Sequence, residues 1–153
     1  MSHPFESLSG SELHSMPGHG IRRLQQIAVA LFMQEMDGTG LTPVQFAVLQ
    51  ALALQPGVDQ KTLAHIVSFD TSTIGAVIDR LESKQMLTRS LSPEDRRVRL
   101  LHLTAEGKAQ LEKAWPAVLR TQARILQPLN AKEQQVFAEL LRKLCDTSRL
   151  EGH

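Results

Sequence analysis

The chain has 153 residues, 42% of them hydrophobic, which is the size and composition of one ordinary globular domain with extensions. Its 17 Lys and Arg against 16 Asp and Glu leave a net charge of only +1, which excludes a wholly cationic nucleic-acid coat. Any binding driven by charge must therefore come from local clusters. The single cysteine excludes an internal disulfide and favours a reducing compartment.

Two further features of the composition narrow the class of protein. Residues 1–10 have neither a basic stretch nor an apolar core, so we expect no signal peptide. The longest apolar run, residues 27–33, is far shorter than a membrane span, and we expect no membrane partner. With no Tyr and one Trp, the chain is poorly supplied for stacking single-stranded nucleic acid. These features predict a cytoplasmic protein.

The first elements in chain order are an arm and a long helix. Residues 1–19 carry Ser, Pro, Gly and His without hydrophobic periodicity, which predicts a flexible N-terminal arm. Over residues 20–38, apolar side chains recur on one helical face, and this pattern ends before an Asp-Gly pair. It predicts the first helix.

Residues 41–103 have the pattern of a winged helix-turn-helix. Thr42 is placed to cap a helix with Pro43 at its first position, and Asp59 to cap a shorter helix. A third helix follows the break at residues 68–70, capped by its first residues, Asp70 or Thr71. Three helices joined by tight turns are typical of a helix-turn-helix unit.

A hairpin and two further helices complete the predicted fold. Residues 87–91 and 98–103 are strand-like, and the turn-rich residues 92–97 between them predict a wing. The remaining chain, residues 104–147, reads as two amphipathic helices opened by Thr104 and Asn130, before a tail at 148–153. The predicted class is mainly α (α+β): a winged helix-turn-helix flanked by N- and C-terminal dimerisation helices.

A homodimer is predicted from the apolar faces of these flanking helices. A small winged-helix core cannot cover them all, and terminal helices from two chains can bury one another. A dimer also doubles the contact with DNA and fixes the spacing of its half-sites.

The strongest chemical signal is the charged tip of the hairpin. Asp95 precedes Arg96 and Arg97, and together with Arg89 and Arg99 the arginines outnumber the local acids. An arginine on a narrow protrusion can enter the minor groove of DNA, and a nearby carboxylate can hold it straight. The alternative is a solvated surface turn with an ion pair.

The sequence resembles the MarR family of bacterial winged-helix transcription regulators over about residues 20–147. The segments that carry the resemblance are Leu-Thr-Pro-Val-Gln-Phe-Ala-Val-Leu at 41–49, Ser-Thr-Ile at 72–74, Asp-Arg-Leu-Glu at 79–82, and the wing running into Leu-Thr-Ala-Glu-Gly at 92–107. The resemblance implies a dimeric repressor in the bacterial cytoplasm that releases a palindromic operator when a small, often aromatic and anionic, ligand binds.

The resemblance also implies which residues contact DNA. The helix from Thr71 would lie in the major groove with its hydroxyls near phosphates or base edges, and Arg97, oriented by Asp95, would enter the minor groove. The residues assigned to DNA contact are Thr71, Ser72, Thr73, Arg80, Asp95, Arg96, Arg97 and Arg99. The chain departs from the family where many members are basic, at Thr71 and Ala76, and at Gln85, where Gly is usual before the wing.

The effector site is predicted at the start of the first helix. His19, Arg22 and Arg23 concentrate three potential cations there, and arginine matches a carboxylate bidentately. Similar starts occur in family members that sense aromatic carboxylates, including repressors of nicotinate catabolism. That implies a hydroxylated pyridine carboxylate or a benzoate as effector. Further lining candidates are Phe46, Gln45, Phe32 and Trp115.

Each assignment has a plainer alternative. Arg22 and Arg23 can lie on the solvated side of the helix, and the aromatic candidates can be core residues. Cys145 reads as a thiol buried in the dimer face rather than a redox sensor. No pattern predicts a cofactor, a metal site or a catalytic pair, so we expect no enzyme. The alternative function is a winged-helix module for protein association, without sequence-specific DNA binding.

Overall fold

The computed structural model describes residues 9–146, as a set of helices around a small antiparallel sheet. The helices are α1 (Gly10–Ser15), α2 (Pro17–Glu35), α3 (Pro43–Leu54), α4 (Gln60–Val67), α5 (Thr71–Ser83), α6 (Ala105–Leu126) and α7 (Ala131–Leu144). The strands are β1 (Val58–Asp59), β2 (Leu87–Leu91) and β3 (Arg99–Leu103). The predicted class, a mainly helical winged helix-turn-helix with flanking helices, is confirmed.

The helices begin where the sequence places a capping side chain. Thr42, Asp59, Asp70, Thr104 and Asn130 each accept a hydrogen bond from the backbone N–H three residues later. Such a side chain satisfies one of the donors that a helix leaves free in its first turn. Because these contacts span only four residues, they are readable from the sequence, and at α5 the cap is Asp70 rather than Thr71.

The N-terminal region departs from the predicted arm. α1 lies within residues 1–19, and α2 begins at Pro17, before the predicted start. α1 is stabilised by a capping box: Ser9 accepts the Glu12 N–H at 3.3 Å, and the Ser9 N–H donates to Glu12 Oε2 at 2.7 Å. α2 has no side-chain cap and begins with Pro17 in its first turn, where the missing N–H costs nothing. Residues 1–8 of the predicted arm and the predicted tail, 148–153, lie outside the described residues.

The sheet has the order β1-β3-β2 and contains a strand that the sequence did not indicate. β2 and β3 form the predicted hairpin, in which Leu87 pairs with Leu103 and Leu91 with Arg99. Val58 of β1 pairs with Leu101. A two-residue strand whose partner is distant in sequence has no local pattern, so only the folded chain reveals it.

The core joins the helix-turn-helix and the base of the wing to the end of α2 and the middle of α6, whereas α7 is left exposed. The most deeply buried residues of this core include Leu49, Leu52, Leu63, Ile74, Ile78, Leu81, Leu87 and Leu101. α7 has no buried residue in the single chain, and Val136, Leu140, Leu141 and Leu144 remain between 43% and 54% exposed. An apolar stripe of this extent is typical of a surface that another chain covers.

Candidate nucleic-acid interface and effector site

One side of α5 packs against α4, and another face of α5 is exposed to solvent. At Gly75 a Cβ atom would lie 2.9 Å from Gln60 Nε2, so the glycine leaves room for the Gln60 side chain. The same Gln60 amide donates to the Thr71 carbonyl at 3.1 Å. The predicted DNA-contact residues of this helix, Thr71, Ser72, Thr73 and Arg80, are all exposed.

A hydrogen-bond network at the start of α5 occupies two of the predicted contact hydroxyls. Ser72 Oγ donates to Asp70 Oδ1 at 2.6 Å, and Thr73 Oγ1 donates to Asp70 Oδ2 at 2.5 Å. These bonds, with the Thr73 N–H, hold the pKa of the Asp70 carboxyl well below its usual range. Both hydroxyls therefore offer lone pairs outward rather than protons, and an anion sits where the helix end would otherwise attract phosphate.

The wing tip has the geometry predicted for an oriented arginine. Arg97 Nε lies 3.2 Å from Asp95 Oδ1, which also accepts the Arg97 backbone N–H at 3.0 Å. These bonds lower the pKa of the Asp95 carboxyl and keep it ionised. The loop is closed below them by the Ser92 N–H, which donates to the Val98 carbonyl at 2.9 Å. The Arg97 side chain remains 91% exposed.

The remaining arginines of the wing divide into two groups. Arg96 and Arg99 are exposed, and neither makes an ion pair with another residue between 9 and 146. Arg89 instead forms ion pairs with Asp79 and Glu82 of α5. The prediction that Arg89 adds to the free positive charge of the wing is therefore wrong, because the fold places two carboxylates of α5 beside it.

The wing and α6 meet at a tight junction after α5. Gln85 has a φ of +58°, in the left-handed region, and its carbonyl accepts Thr104 Oγ1 at 2.6 Å. The Met86 carbonyl accepts the Thr104 N–H at 3.1 Å, and a Cβ on Gly107 would lie only 2.0 Å from that oxygen. The Gly at 107 is thus required, and Gln85 adopts a left-handed backbone conformation that favours Gly.

The aromatic effector candidates form one cluster of mostly buried rings. The ring of Phe46 lies 5.8 Å from that of Phe32 and 6.3 Å from that of Trp115. Phe32 and Phe46 are buried in the core, whereas Trp115 is 43% exposed. Gln45 is buried, and its Oε1 accepts the Thr42 N–H at 3.2 Å as part of the cap of α3. Of these residues, Trp115 is the one with an exposed side chain.

Trp115 borders an apolar cavity of about 330 Å³ between α3 and α6. The cavity is also lined by Gln50, Ala53, Leu54, Leu111 and Glu112. Its walls suit a flat apolar ring, and a carboxylate on that ring would have to point away from Glu112. None of the three predicted cations of α2 lines this cavity.

The three predicted cations lie together at the start of α2. Arg22 and Arg23 are exposed and make no ion pair within residues 9–146. His19 is half-buried, with its ring 5.2 Å from that of His14. Its Nε2 is shielded from solvent and has no hydrogen-bond partner in the described part of the chain. A buried polar nitrogen without a partner is available to an incoming acceptor.

Residues 9–146 contain neither a candidate metal site nor a candidate membrane span. No cluster of three or more His, Cys, Asp or Glu side chains there could hold a metal ion. No helix in that range is both long and apolar enough to cross a membrane. Cys145 is exposed in the single chain, one residue beyond α7.

A helix-turn-helix with an exposed second helix, followed by an arginine-tipped wing, defines the winged-helix class of DNA-binding proteins. Comparison with known proteins agrees with this class and narrows it. The model of the MarR family matches residues 41–98. The transcriptional regulator HosA of Escherichia coli O127:H6 is 33% identical over 129 residues, which cover 84% of this chain and 94% of HosA.

Two solved structures have the same fold over nearly their whole length. BpsR of Bordetella bronchiseptica, whose DNA binding is regulated by 6-hydroxynicotinic acid, gives a TM-score of 0.83 at 34% identity, over 87% of this chain and 95% of that one. PcaV of Streptomyces coelicolor, in complex with its natural ligand, gives 0.81 at 38%, over 92% and 99%. The chain belongs to the MarR family of winged-helix transcriptional regulators.

Proposed function

We propose that the chain is a dimeric repressor that binds a palindromic operator and is released by a small aromatic carboxylate. The observation that carries the proposal is Arg97, which is almost fully exposed at the wing tip and held by Asp95. A guanidinium fixed on a narrow hairpin suits the negative potential of a minor groove. The exposed face of α5 would be the element that enters the major groove.

The dimer in this proposal is supported by apolar side chains that the single chain leaves uncovered. α7 exposes a continuous stripe, and α2 and α6 expose Ile21, Ile27 and Leu119. Burying such surface is favourable by about 25 cal/mol per Å² of apolar area removed from water. A two-fold axis would give two recognition helices and two wings, which is the symmetry that a palindromic operator matches.

A mobility-shift titration tests DNA binding, using a duplex selected by the wild-type protein from a randomised library. We expect binding that falls steeply with salt, and at least a tenfold loss of affinity in Arg97→Ala. Lys113→Ala is the matched control, because it removes one exposed charge from α6 and leaves the wing intact. Equal effects of the two variants would remove the wing from the interface.

The alternative, a module for protein association, makes the opposite prediction in the same assay. It predicts no duplex binding at low ionic strength, together with tight capture of a protein partner through the arginines. That pair of results would overturn the repressor proposal.

For the effector, we propose that a small aromatic carboxylate binds at the start of α2, where His19, Arg22 and Arg23 would bind its carboxylate. Support comes from the unpaired nitrogen of His19 and from BpsR, which responds to a hydroxylated pyridine carboxylate. The cavity beside Trp115 is lined by none of these three residues, so it is a separate candidate for an apolar ring, with Phe46 and Gln45 buried in the core nearby. A coupling of about 1–3 kcal/mol between ligand and DNA is enough for such a switch.

The effector proposal is tested with 6-hydroxynicotinate and with benzoate as probes. At least one is expected to weaken DNA binding by about 5-fold or more. Arg22→Ala and His19→Ala should blunt that response while changing DNA affinity little, and Lys113→Ala should leave it intact. If both variants respond as the wild type does, the assignment of these residues is wrong.

A further inference from the structure

An ion-pair bridge joins the wing to α5. The Arg89 guanidinium donates from Nη2 to Asp79 Oδ1, and from Nη1 to Glu82 Oε1 at 3.2 Å. Asp79 and Glu82 lie on the same side of α5, because residues three apart on a helix are neighbours. One planar guanidinium thus connects a strand of the wing to two points along the helix.

The guanidinium of this bridge is more protected than the one at the wing tip. The Arg89 side chain is 24% exposed, against 91% for that of Arg97, whereas the Asp79 and Glu82 side chains are 67% and 41% exposed. Solvent screens an exposed pair strongly and a partly buried pair less. Arg89 is also paired across elements, seven and ten residues away, whereas Arg97 is paired within its own loop.

We infer that Arg89 is a positioning residue that fixes the angle between the wing and α5, so that both elements meet one duplex in register. The inference rests on the DNA-binding function proposed above. It assigns to Arg89 no contact with DNA.

The geometry of the hairpin makes a fixed angle necessary. The wing leaves α5 through the short turn around Gln85, and Arg89 pairs with Leu101, four residues from Arg97. At about 3.3 Å per residue, Arg97 stands roughly 13 Å from the bridge. A tilt of about 10° at the base would move Arg97 by about 2 Å, which is enough to stretch a hydrogen bond beyond its range. Even a small change of angle at the base of the wing would therefore disrupt the proposed minor-groove contact.

A second role for Arg89, neutralising two carboxylates near DNA, makes a different prediction. If neutralisation were its role, removing the carboxylates in Asp79→Ala/Glu82→Ala would preserve or strengthen DNA binding. If the bridge positions the wing, the same variant must weaken specific binding, because Arg89 loses both of its anchors. The sign of the change separates the two roles.

The experiment is a double-mutant cycle on DNA affinity, measured by fluorescence anisotropy with the duplex selected by the wild type. In the wild-type background, Arg97→Ala is expected to lower DNA affinity at least tenfold. In the Arg89→Met and Asp79→Ala/Glu82→Ala backgrounds, the same substitution should lower affinity less than threefold, because a misplaced wing tip already makes little contact with DNA.

Arg120→Met supplies the matched background. Arg120 pairs with Glu35 between α2 and α6, at 2.7 Å, so its loss removes a cross-element ion pair away from the wing. In this background Arg97→Ala should still cost at least tenfold. Circular dichroism checks that each variant is folded, and if Arg89→Met is not, the Asp79→Ala/Glu82→Ala background decides alone.

Each outcome has a distinct meaning. A tenfold cost of Arg97→Ala in every background overturns the positioning role while leaving the proposed DNA binding intact. Tighter binding by Asp79→Ala/Glu82→Ala also overturns it, in favour of neutralisation. If the wild type binds no duplex at low ionic strength, the proposed function fails, and the inference fails with it.

Discussion

Replacing Gly107 by Ala tests the junction on which the wing and α6 both depend. Gly107 lies in the first turn of α6, where helix propensity alone favours Ala over Gly by about 1 kcal/mol. The structure predicts the opposite sign. A Cβ there would lie 2.0 Å from the Met86 carbonyl oxygen and 2.8 Å from Leu103 Cδ1. The nearest atom is backbone, so it cannot rotate away as a side chain could.

The expected loss of stability in Gly107→Ala follows from the contacts that a shift of α6 would weaken. Relieving the clash shifts α6 from the Met86 carbonyl, which accepts the Thr104 N–H, and strains the Thr104 hydroxyl bond to Gln85. Overpacking costs about 1–3 kcal/mol and each weakened hydrogen bond about 1 kcal/mol. After the propensity gain, we expect a net loss of about 3 kcal/mol. For a domain of this size that lowers the melting temperature by about 6–12 °C.

Gly20→Ala is the matched control, because Gly20 lies in α2 and nothing lies within 4 Å of its added Cβ. It should raise stability by about 0.5–1 kcal/mol. Thermal unfolding followed by circular dichroism, at one protein concentration because a dimer's stability depends on it, measures both variants. A rise in melting temperature in Gly107→Ala, matching that in Gly20→Ala, would refute the close approach at this junction.

Three further predictions follow from single contacts. Gln85→Gly should stabilise the chain by about 0.5–1 kcal/mol in the same unfolding assay, because it relieves the left-handed φ of +58°; Lys84→Gly, at a φ of −84°, should destabilise it. Asp70→Asn should lower stability at pH 7, since the folded-state pKa of Asp70 is depressed. The ionised Asp70 carboxylate stabilises the folded protein fully above the unfolded-state pKa of about 3.9. The difference in the free energy of unfolding between wild type and Asp70→Asn should therefore shrink as pH falls below that value. Leu140→Glu should shift the sedimentation of the protein from two chains to one, because Leu140 is 52% exposed on the stripe of α7; Glu139→Lys beside it should not.

The sequence predicted those parts of the fold that depend on contacts within a few residues. Thr42, Asp59 and Thr104 cap helices through bonds to the third residue onward, so their role is visible in the residue type and its spacing. α1 is not predicted, although the sequence contains a signal for it. Ser9 and Glu12 have the spacing of a capping box, but the Ser, Pro and Gly residues around them have low helix propensity and favour an interpretation as a loop.

The contacts in the candidate site that the sequence does not predict have a different origin. Arg89 resembles the other wing arginines in sequence, and only the packing of β2 beside α5 places Asp79 and Glu82 within its reach. The hydroxyls of Ser72 and Thr73 likewise appear free in sequence, although the cap of α5 engages both. In each case the side chain was correctly placed on its element, while its partner was decided by geometry.

The cap of α5 shifts the expected source of DNA affinity toward the wing. Thr71 and Ala76 on the exposed face of α5 carry no charge, and the Asp70 carboxylate caps the first turn of this helix. Each phosphate that a protein neutralises contributes about 0.9 to the slope of log affinity against log salt concentration, so a helix without cations in its first two turns adds little attraction. We therefore expect the attraction to come from the exposed arginines of the wing. We expect α5 to contact base edges and thymine methyl groups, and so to select the sequence of the proposed operator rather than to supply affinity.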